Sequence, residues 1–323
     1  MGRKFIGLRI NPRGCFVTGI AINAFRQDIV VADLANNVIA CEQLHFDDLS
    51  DAEQVIDFCA STLDRLVTQT GIDRDRLVGC GVVITGAVDP GRNILRSAPP
   101  LNWGETTVGS IVEQYLDCPV YMDNIPNAKN ITAYCFGPTR KTENVLLFNA
   151  SLAIGCSLML EGHIYRGADY QGGLIDSMMI PDLENRRLLP VDQIAGGYAV
   201  VEASDVESQA NQLKRITAAA ERNDSAAVTA LESAGTALAY VVKNAYSLLH
   251  PQSVIVSGPL LESSHYQAAL HRALNAGVEA EVVESKIIFS PMTSQQAAQS
   301  LAIYQSLNQT DLAMLPAFQQ FAS

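Results

Sequence analysis

The feature that most constrains the fold is an order of strands and helices that occurs twice along the chain. In the first half, Leu77–Thr85 is a continuous apolar run, which is typical of a strand buried on both faces of a sheet. In the second half, Ser253–Ser257 is predicted as a buried strand that follows a long helical pattern. The repetition predicts an α/β fold with two similar lobes, each a β-meander plus helices, and a cleft between them.

The predicted elements of the first half form a meander followed by helices. The apolar segments predicted as its strands are Phe5–Ile10, Cys15–Ala24 and Asp28–Leu34. Ser50 and Glu53 have the spacing of a capping box, which predicts a helix that starts there and ends at Gly71. A helix at about 106–116 and a strand at Cys118–Met122 complete this half.

The second half repeats this order. The predicted strands are Val145–Ala150, Ile154–Leu160, Ser253–Ser257 and Ile287–Ser290, with a hairpin at 161–162. The predicted helices are Asn127–Phe136 and Ser225–Leu249, while 182–222 is polar, helical and irregular. A second capping box at Thr293 and Gln296 opens a last helix that is expected to run to about Gln305.

Charge and cysteine content exclude several classes of protein. Lys and Arg number 22 and Asp and Glu 34, which gives a net charge of −12 over 323 residues. DNA affinity comes mainly from neutralising phosphates, so this acidity argues against DNA binding by the chain alone, and anionic membranes would repel it. The 7 cysteines are an odd number without a CxxC pair, which is typical of reduced thiols in a cytoplasmic protein. The N-terminal residues lack the pattern of a secretory signal.

Five segments in order carry a resemblance to a known family. They are Gly81–Asp89 (GVVITGAVD), Ala98–Trp103 (APPLNW), Pro119–Ala128 (PVYMDNIPNA), Glu161–Ala168 (EGHIYRGA) and Ala245–Gly258 (AYSLLHPQSVIVSG). The chain resembles the ROK family of repressors, open reading frames and sugar kinases, and most of all its sugar-responsive repressors of the NagC and Mlc types. The resemblance implies a two-lobed actin-like ATPase (ribonuclease H-like) fold. Its lobes would be 1–122 plus about 293–312, and 123–292, with a tail at 313–323.

The general base of the family's kinases is missing from this sequence. In the family's NDAN segment, an Asp takes the proton from the sugar hydroxyl, and here Ile125 stands at that position. An alkyl group cannot accept a proton, and loss of such a base costs about 10²–10⁴-fold in rate. The resemblance therefore implies no catalytic residue in this chain.

The family's two phosphate loops are also altered. The segment matched to the first, the DxGGT turn, is Arg9–Gly14, which has no glycine pair and contains Pro12 without an N–H donor. The segment matched to the second is Ser151–Ser157, where Leu152 and Ala153 replace glycines that let the backbone approach a phosphate. We therefore expect no nucleotide cofactor.

The family's zinc site cannot be built from this sequence. The family uses a His from its GEIGH segment and three Cys, whereas Gly173 and Asp176 stand at the Glu and His positions here. No cysteine follows Ser157, so we expect no metal.

The resemblance implies a short list of ligand-binding candidates. They are Gly86, Asn102, Trp103, Asn124 and Asp176. Trp103 either stacks on a sugar or is a core residue that fills the interface between the lobes. Asn124 either contacts the ligand or caps the following helix. Asp176 either accepts hydroxyl hydrogen bonds or lies on a solvated face.

These observations favour one function over two others. The favoured function is that of a non-catalytic effector-binding and oligomerisation body of a transcriptional regulator, with a sugar or sugar phosphate as effector. Such a body would form a homodimer or a higher oligomer, bind no membrane, and reach DNA only through a helix-turn-helix outside this chain. The alternatives are an ATP-dependent sugar kinase with Asp123 or Asp176 as an atypical base, and a scaffold that binds no ligand. An extended chain would turn Asp123 away from the cleft.

Overall fold

Two five-stranded sheets with the same strand order organise the chain. The computed structural model describes residues 11–182, 186–203, 212–276 and 286–308. The strands are β1 (Phe16–Ile22), β2 (Gln27–Asp33), β3 (Val38–Leu44), β4 (Leu77–Ile84), β5 (Ala87–Asp89), β6 (Ile94–Ser97), β7 (Val120–Asn124), β8 (Val145–Ala150), β9 (Ile154–Leu160), β10 (His163–Tyr165), β11 (Met179–Asp182), β12 (Arg187–Pro190), β13 (Ser253–Ser257) and β14 (Ile287–Phe289). The helices are α1 (Ala52–Thr70), α2 (Val108–Val112), α3 (Ile125–Phe136), α4 (Gly197–Ala203), α5 (Gln212–Glu221), α6 (Ser225–Leu249), α7 (Ser264–Leu274) and α8 (Ser294–Asn308).

The first sheet has the order β3-β2-β1-β4-β7 and the second β10-β9-β8-β13-β14. In each sheet the first three strands along the chain form an antiparallel meander. Two parallel strands then follow on the other side of the meander's first strand. The predicted architecture of two similar lobes is confirmed, and the fold is that of the actin-like ATPases.

Helices cover both faces of the first sheet. On one face, α1 and α2 pack against Ile20, Ile22 and Val82. On the other face, α3 and α8 pack against Ala21 and Val83. Central strands covered in this way are buried along their whole length, which explains the continuous apolar run of β4.

The second sheet is covered in the same manner. Helices α4, α5, α6 and α7 bury one face of the sheet, which includes Leu146, Phe148 and Val254. The other face contacts α3 through Ala133 and Leu147. Helix α3 therefore lies between the two sheets and contacts both.

The helix caps agree in part with those predicted. The capping box of α8 is confirmed, because Thr293 N donates to Gln296 Oε1 at 3.0 Å and Gln296 N donates to Thr293 Oγ1 at 3.1 Å. The N-cap of α1 is Asp51 and not Ser50, since the Asp51 side chain accepts a hydrogen bond from the backbone of Gln54. Ser50 instead donates its hydroxyl to Asp48. Gly71 ends α1 in the left-handed conformation, as predicted.

The meander of the first lobe is shifted along the chain relative to the prediction. Its third strand is Val38–Leu44, which the sequence interpretation missed. The predicted strand Phe5–Ile10 lies outside the described residues. The helix expected at 106–116 is limited to Val108–Val112.

Helix α6 has the bounds predicted for it, Ser225–Leu249. It is long and apolar enough to cross a membrane by length and composition, yet 56% of the relevant stretch is buried. It packs against α4, α5 and α7, so its apolar side forms the core of the second lobe.

The division into lobes at residue 122, with 293–312 returning to the first lobe, stays a prediction. The first sheet includes β7 as far as Asn124, and α8 packs on that sheet. The expected tail 313–323 lies outside the described residues.

Candidate functional site

A cavity of about 950 Å³ lies between the two lobes. Corresponding turns of both sheets line it. In the first lobe these are the β1–β2 turn at 23–26 and Gly86 after β4, and in the second the β8–β9 turn at 151–153 and Gly258 after β13. The same strand ends meet at one cleft because the two sheets have the same topology.

Two of these wall positions require glycine. Gly86 and Gly258 have φ angles of 122° and 119°, which side-chain-bearing residues rarely adopt. A Cβ atom would come within 2.2 Å of the Ser97 carbonyl oxygen at Gly86, and within 2.3 Å of the Ala150 carbonyl oxygen at Gly258. Gly86, a predicted ligand-binding residue, therefore forms the cavity wall through its backbone.

The start of α3 forms another wall of the cavity. Asn124 lines it and is only 4% exposed. Its side chain also caps the helix, since Asn124 Oδ1 accepts a hydrogen bond from Asn127 N at 2.9 Å. Both interpretations of Asn124 are compatible with this position, because the amide nitrogen is not used in the cap.

Ile125, which the sequence resemblance matches to the base of the family's kinases, lines the cavity. It is 4% exposed and packs in an apolar cluster with Ala21, Val83 and Leu301. Nothing in its side chain can accept a proton.

Asp123 is turned away from the cavity, as the extended chain predicted. Its carboxylate forms an ion pair with Arg166 at 2.6 Å and accepts hydrogen bonds from Asn124 N and Asn127 Nδ2. It is 1% exposed and does not line the cavity. A role for Asp123 as the base of a kinase does not fit this arrangement.

The segment matched to the first phosphate loop is in the wrong place. The described part of Arg9–Gly14, residues 11–14, precedes β1 and does not contribute to the interlobe cavity. The β1–β2 turn does, and it has no glycine. In this turn Asn23 Oδ1 accepts hydrogen bonds from the backbone of Phe25 and Arg26, at 2.9 and 3.2 Å. Two backbone donors of this turn are therefore already used.

The second loop, Ser151–Ser157, lies at the cavity. Its Leu152 side chain packs against the core of the second lobe. The backbone N–H of Ile154 donates to the Asp192 carboxylate at 2.7 Å, so a side chain of the protein occupies an anion position of this loop. Burial raises the pKa of Asp192 to about 6, the Ile154 hydrogen bond opposes the rise, and nearby Asp176 adds to it.

Two of the predicted ligand residues lie away from the cavity. Trp103 is 4% exposed within the core of the first lobe, and its indole N–H donates to the Leu49 carbonyl oxygen at 2.5 Å. This is the core alternative for Trp103. Asn102 is exposed, with φ 57°, at the end of a short 3₁₀ turn. Their loop reaches the cavity through Pro99 and Pro100 instead.

Asp176 does line the cavity, at an exposed position of its wall. The structure thus brings together Gly86, Asn124 and Asp176 of the five predicted ligand residues. In the described ranges no group of three His, Cys, Asp or Glu side chains is placed to hold a metal ion.

One charged residue of the cavity was missed by the sequence interpretation. Lys129 of α3 lines the cavity and is 3% exposed. Its ammonium donates to Asn149 Oδ1 at 2.8 Å and to Ser257 Oγ at 3.2 Å. Burial lowers the pKa of Lys129 to about 7. The signal was a single charge in a helix that is otherwise apolar or neutral, Ile125–Phe136.

Several relatives with similar sequences are transcriptional regulators. The chain is 23% identical over 266 residues to the xylose repressor of Bacillus subtilis, which covers 81% of this chain and 69% of that protein. It is 20% identical over 280 residues to the DNA-binding transcriptional dual regulator NagC of Escherichia coli, with 81% and 68% covered.

Solved structures with the same fold include regulators and kinases. A ROK family transcriptional regulator, a homologue of the E. coli MLC protein, matches with a TM-score of 0.76 at 16% identity, over 97% of this chain and 83% of that one. A ROK family glucokinase from Streptomyces griseus, in complex with glucose and AMPPNP, matches with a TM-score of 0.71 at 18% identity, over 89% and 98%. The ROK family model itself matches residues 17–303. The chain therefore belongs to the ROK family.

Proposed function

We propose that this chain is the non-catalytic, sugar-binding and oligomerisation body of a ROK-type transcriptional regulator of carbohydrate metabolism. The observation that carries the proposal is Ile125, an aliphatic side chain in the cavity wall at the position of the kinases' base. Proton removal from a sugar hydroxyl needs an acceptor within about 3 Å, and Ile125 offers none.

The hydrogen bonds already formed in the β1–β2 and β8–β9 turns support the same function. Asn23 already accepts from the β1–β2 turn, and Asp192 already accepts from Ile154 in the β8–β9 turn. A triphosphate would have to displace both side chains and would meet the negative charge of Asp192. Loss of these donors removes the usual means of holding a nucleotide.

A regulator needs two states that its effector can bias. A ligand that contacts both walls of the interlobe cavity would favour the closed arrangement of the lobes. Closure would change the geometry of a DNA-binding domain outside this chain and of a second copy in a homodimer. The names of the related repressors support carbohydrates as effectors, with xylose and N-acetylglucosamine as the first sugars to test.

A sugar kinase with Asp176 as its base is the competing function. Asp176 favours it because it lines the cavity, and Asp192 lies near it. That kinase would also need a new way of binding ATP, for which the two turns leave few free donors.

Calorimetric titration and a phosphoryl-transfer assay on the same protein distinguish these functions. Xylose, glucose, N-acetylglucosamine and their phosphate esters are titrated, and ADP release from Mg-ATP is followed with each sugar. We expect binding of at least one carbohydrate and no ADP release above the sugar-free background. Turnover that disappears in Asp176→Asn would establish the kinase instead, and the absence of any carbohydrate binding would leave only the scaffold.

A further inference from the structure

The buried Lys129 ammonium has no counter-ion in the described part of the chain. Its two hydrogen-bond partners, the Asn149 amide oxygen and the Ser257 hydroxyl, are both neutral. Ser257 Oγ in turn donates to the Met292 carbonyl oxygen at 3.3 Å. An ammonium has three donors, so the two neutral partners leave one N–H available to a ligand.

Burial of the Lys129 charge costs free energy, and an anionic ligand in the cavity can offset that cost. A side chain that is 3% exposed loses almost all of its hydration, and only a paired charge offsets that loss well. The pKa of Lys129, lowered to about 7 by burial, reflects this missing partner. An anion in the cavity would restore the proton and form a charge-assisted hydrogen bond.

Two helices direct their N-termini at the same cavity. Asn124 and Pro126 at the start of α3, which has 12 residues, and Ser294 at the start of α8, which has 15, line it. The caps already satisfy some of the first backbone donors, so these ends contribute their positive dipoles rather than a full set of free N–H groups.

The other charged and titratable side chains around the cavity do not neutralise Lys129. They are Arg26, His45, Lys214, Asp176, Asp192, Glu262, Cys156 and Tyr198. Arg26 is paired with Asp28. The Asp192 carboxylate accepts a hydrogen bond from the backbone N–H of Ile154. The pKa of Lys129 is lowered by burial, and no carboxylate contributes to the shift.

We propose that Lys129 binds the anionic group, a phosphate or a carboxylate, of the carbohydrate effector. This inference rests on the proposed function and narrows its effector from any sugar to an acidic one. The anion lies between α3, β8 and β13, and the neutral part of the sugar extends along the cavity wall toward Asn124 and Gly86.

Matched neutral and anionic ligands test the proposal. Glucose, glucose 6-phosphate, gluconate and inorganic phosphate are titrated calorimetrically into the wild-type chain, Lys129→Gln, and Lys141→Gln as a control for an exposed lysine outside the cavity. We expect one of the two anionic sugars to bind the wild type and the control at least about tenfold more tightly than glucose. We expect Lys129→Gln to lose that advantage, since a hydrogen bond to a charged group contributes about 1.5–3 kcal/mol, or about 10- to 100-fold.

Proton uptake by the wild-type chain provides a readout that does not depend on a variant. Titrations at pH 8 in two buffers of different ionisation enthalpy should show uptake when the anionic sugar binds, because Lys129 regains its proton. Inorganic phosphate should compete with a bound phosphate ester.

The outcomes separate the two proposals. If glucose binds as tightly as the anionic sugars, or if Lys129→Gln keeps their advantage, the anion site is wrong while the sugar-binding function stands. If the anionic sugar binds without proton uptake at pH 8, Lys129 is not its partner. If none of these ligands binds the wild type, and neither do xylose, N-acetylglucosamine and their phosphate esters, both proposals fail.

Discussion

Ile125 and Lys129, one turn apart on α3, give the cavity its chemistry. Ile125 presents a side chain without acid–base function, and it is held in an apolar cluster with Ala21, Val83 and Leu301. Lys129 presents an ammonium that has only neutral partners. Helix α3 thus presents no proton acceptor to the cleft at Ile125 and presents a cation at Lys129.

An aspartate placed at position 125, where the family's kinases have their base, should not restore kinase activity. We expect Ile125→Asp to lower the free energy of unfolding by about 3 kcal/mol, because it removes apolar packing and buries a carboxylate without a partner. ADP release should stay at background, because the β1–β2 and β8–β9 turns still leave few free donors. Urea unfolding and the ADP assay measure both effects. Ile125→Val, expected to cost about 1 kcal/mol, is the packing control. Sugar-dependent turnover in Ile125→Asp would contradict the account of the turns.

The Lys129 charge should make stability depend on pH with a definite sign. The pKa of Lys129 is about 7 in the folded chain, whereas its ordinary value is 10.5. Between these two pH values the unfolded chain therefore holds the Lys129 proton more strongly than the folded chain does. The unfolding free energy of the wild type should therefore rise with pH, by about 2 kcal/mol from pH 7 to 9 relative to Lys129→Met. Urea unfolding at both pH values measures this, with Lys141→Met as control. A constant difference would show that Lys129 is not a buried ammonium.

The residues of the site could be predicted only in part. Gly86 and Asn124 belong to segments whose order along the chain carries the family resemblance, and Asp176 stands in the segment matched to the family's GEIGH motif. The environment of Lys129 depends on Asn149 and Ser257, which are 20 and 128 positions away in the sequence. Local patterns hold no information on such contacts, so Lys129 is visible in the sequence only as an isolated charge.

At the scale of elements, the N-cap residue of α3, Asn124, both caps the helix and lines the cavity. Asn124→Ala should cost about 1 kcal/mol in unfolding free energy, because Asn127 N loses its acceptor. Asn124→Ser should keep the cap and most of the stability, since Ser caps helices about as well as Asn and adds no buried charge. If the Asn124 amide also donates to the ligand, Asn124→Ser loses carbohydrate affinity while its stability stays close to that of the wild type. Urea unfolding and calorimetry on both variants separate the two roles, and unchanged affinity in Asn124→Ser would leave Asn124 with the cap alone.

Elements with a strong local signal were predicted well, and elements set by tertiary contacts were not. The apolar spacing of α6 and Pro251 after it define Ser225–Leu249 in the sequence alone. Strand β3 is half exposed and belongs to the sheet through its pairing with β2, so its own composition gave little signal. The sequence interpretation took Phe5–Ile10 as the first strand and matched the first phosphate loop to the turn after it, Arg9–Gly14, whereas the turn that reaches the cavity follows β1, Phe16–Ile22.

At the scale of the whole molecule, two lobes of the same topology face each other across one cavity. Helix α3 contacts both sheets. The ion pair between buried Asp123 and partly buried Arg166 joins the end of β7 in the first sheet to the residue after β10 in the second. Such connections limit how the lobes can move relative to one another. Any closure on a ligand has to take place with this ion pair kept or repacked.

The ion pair should therefore be a large contributor to the stability of the two lobes as one unit. We expect Arg166→Met to lower the unfolding free energy by about 3 kcal/mol, because it leaves the Asp123 carboxylate, 1% exposed, without a counter-ion. The double variant Asp123→Asn with Arg166→Met should recover most of this loss, since Asn keeps an oxygen for Asn124 N and Asn127 Nδ2 and carries no charge. Urea unfolding of the single and double variants measures the effect. A double variant no more stable than Arg166→Met would show that Arg166 acts through packing and not through its charge.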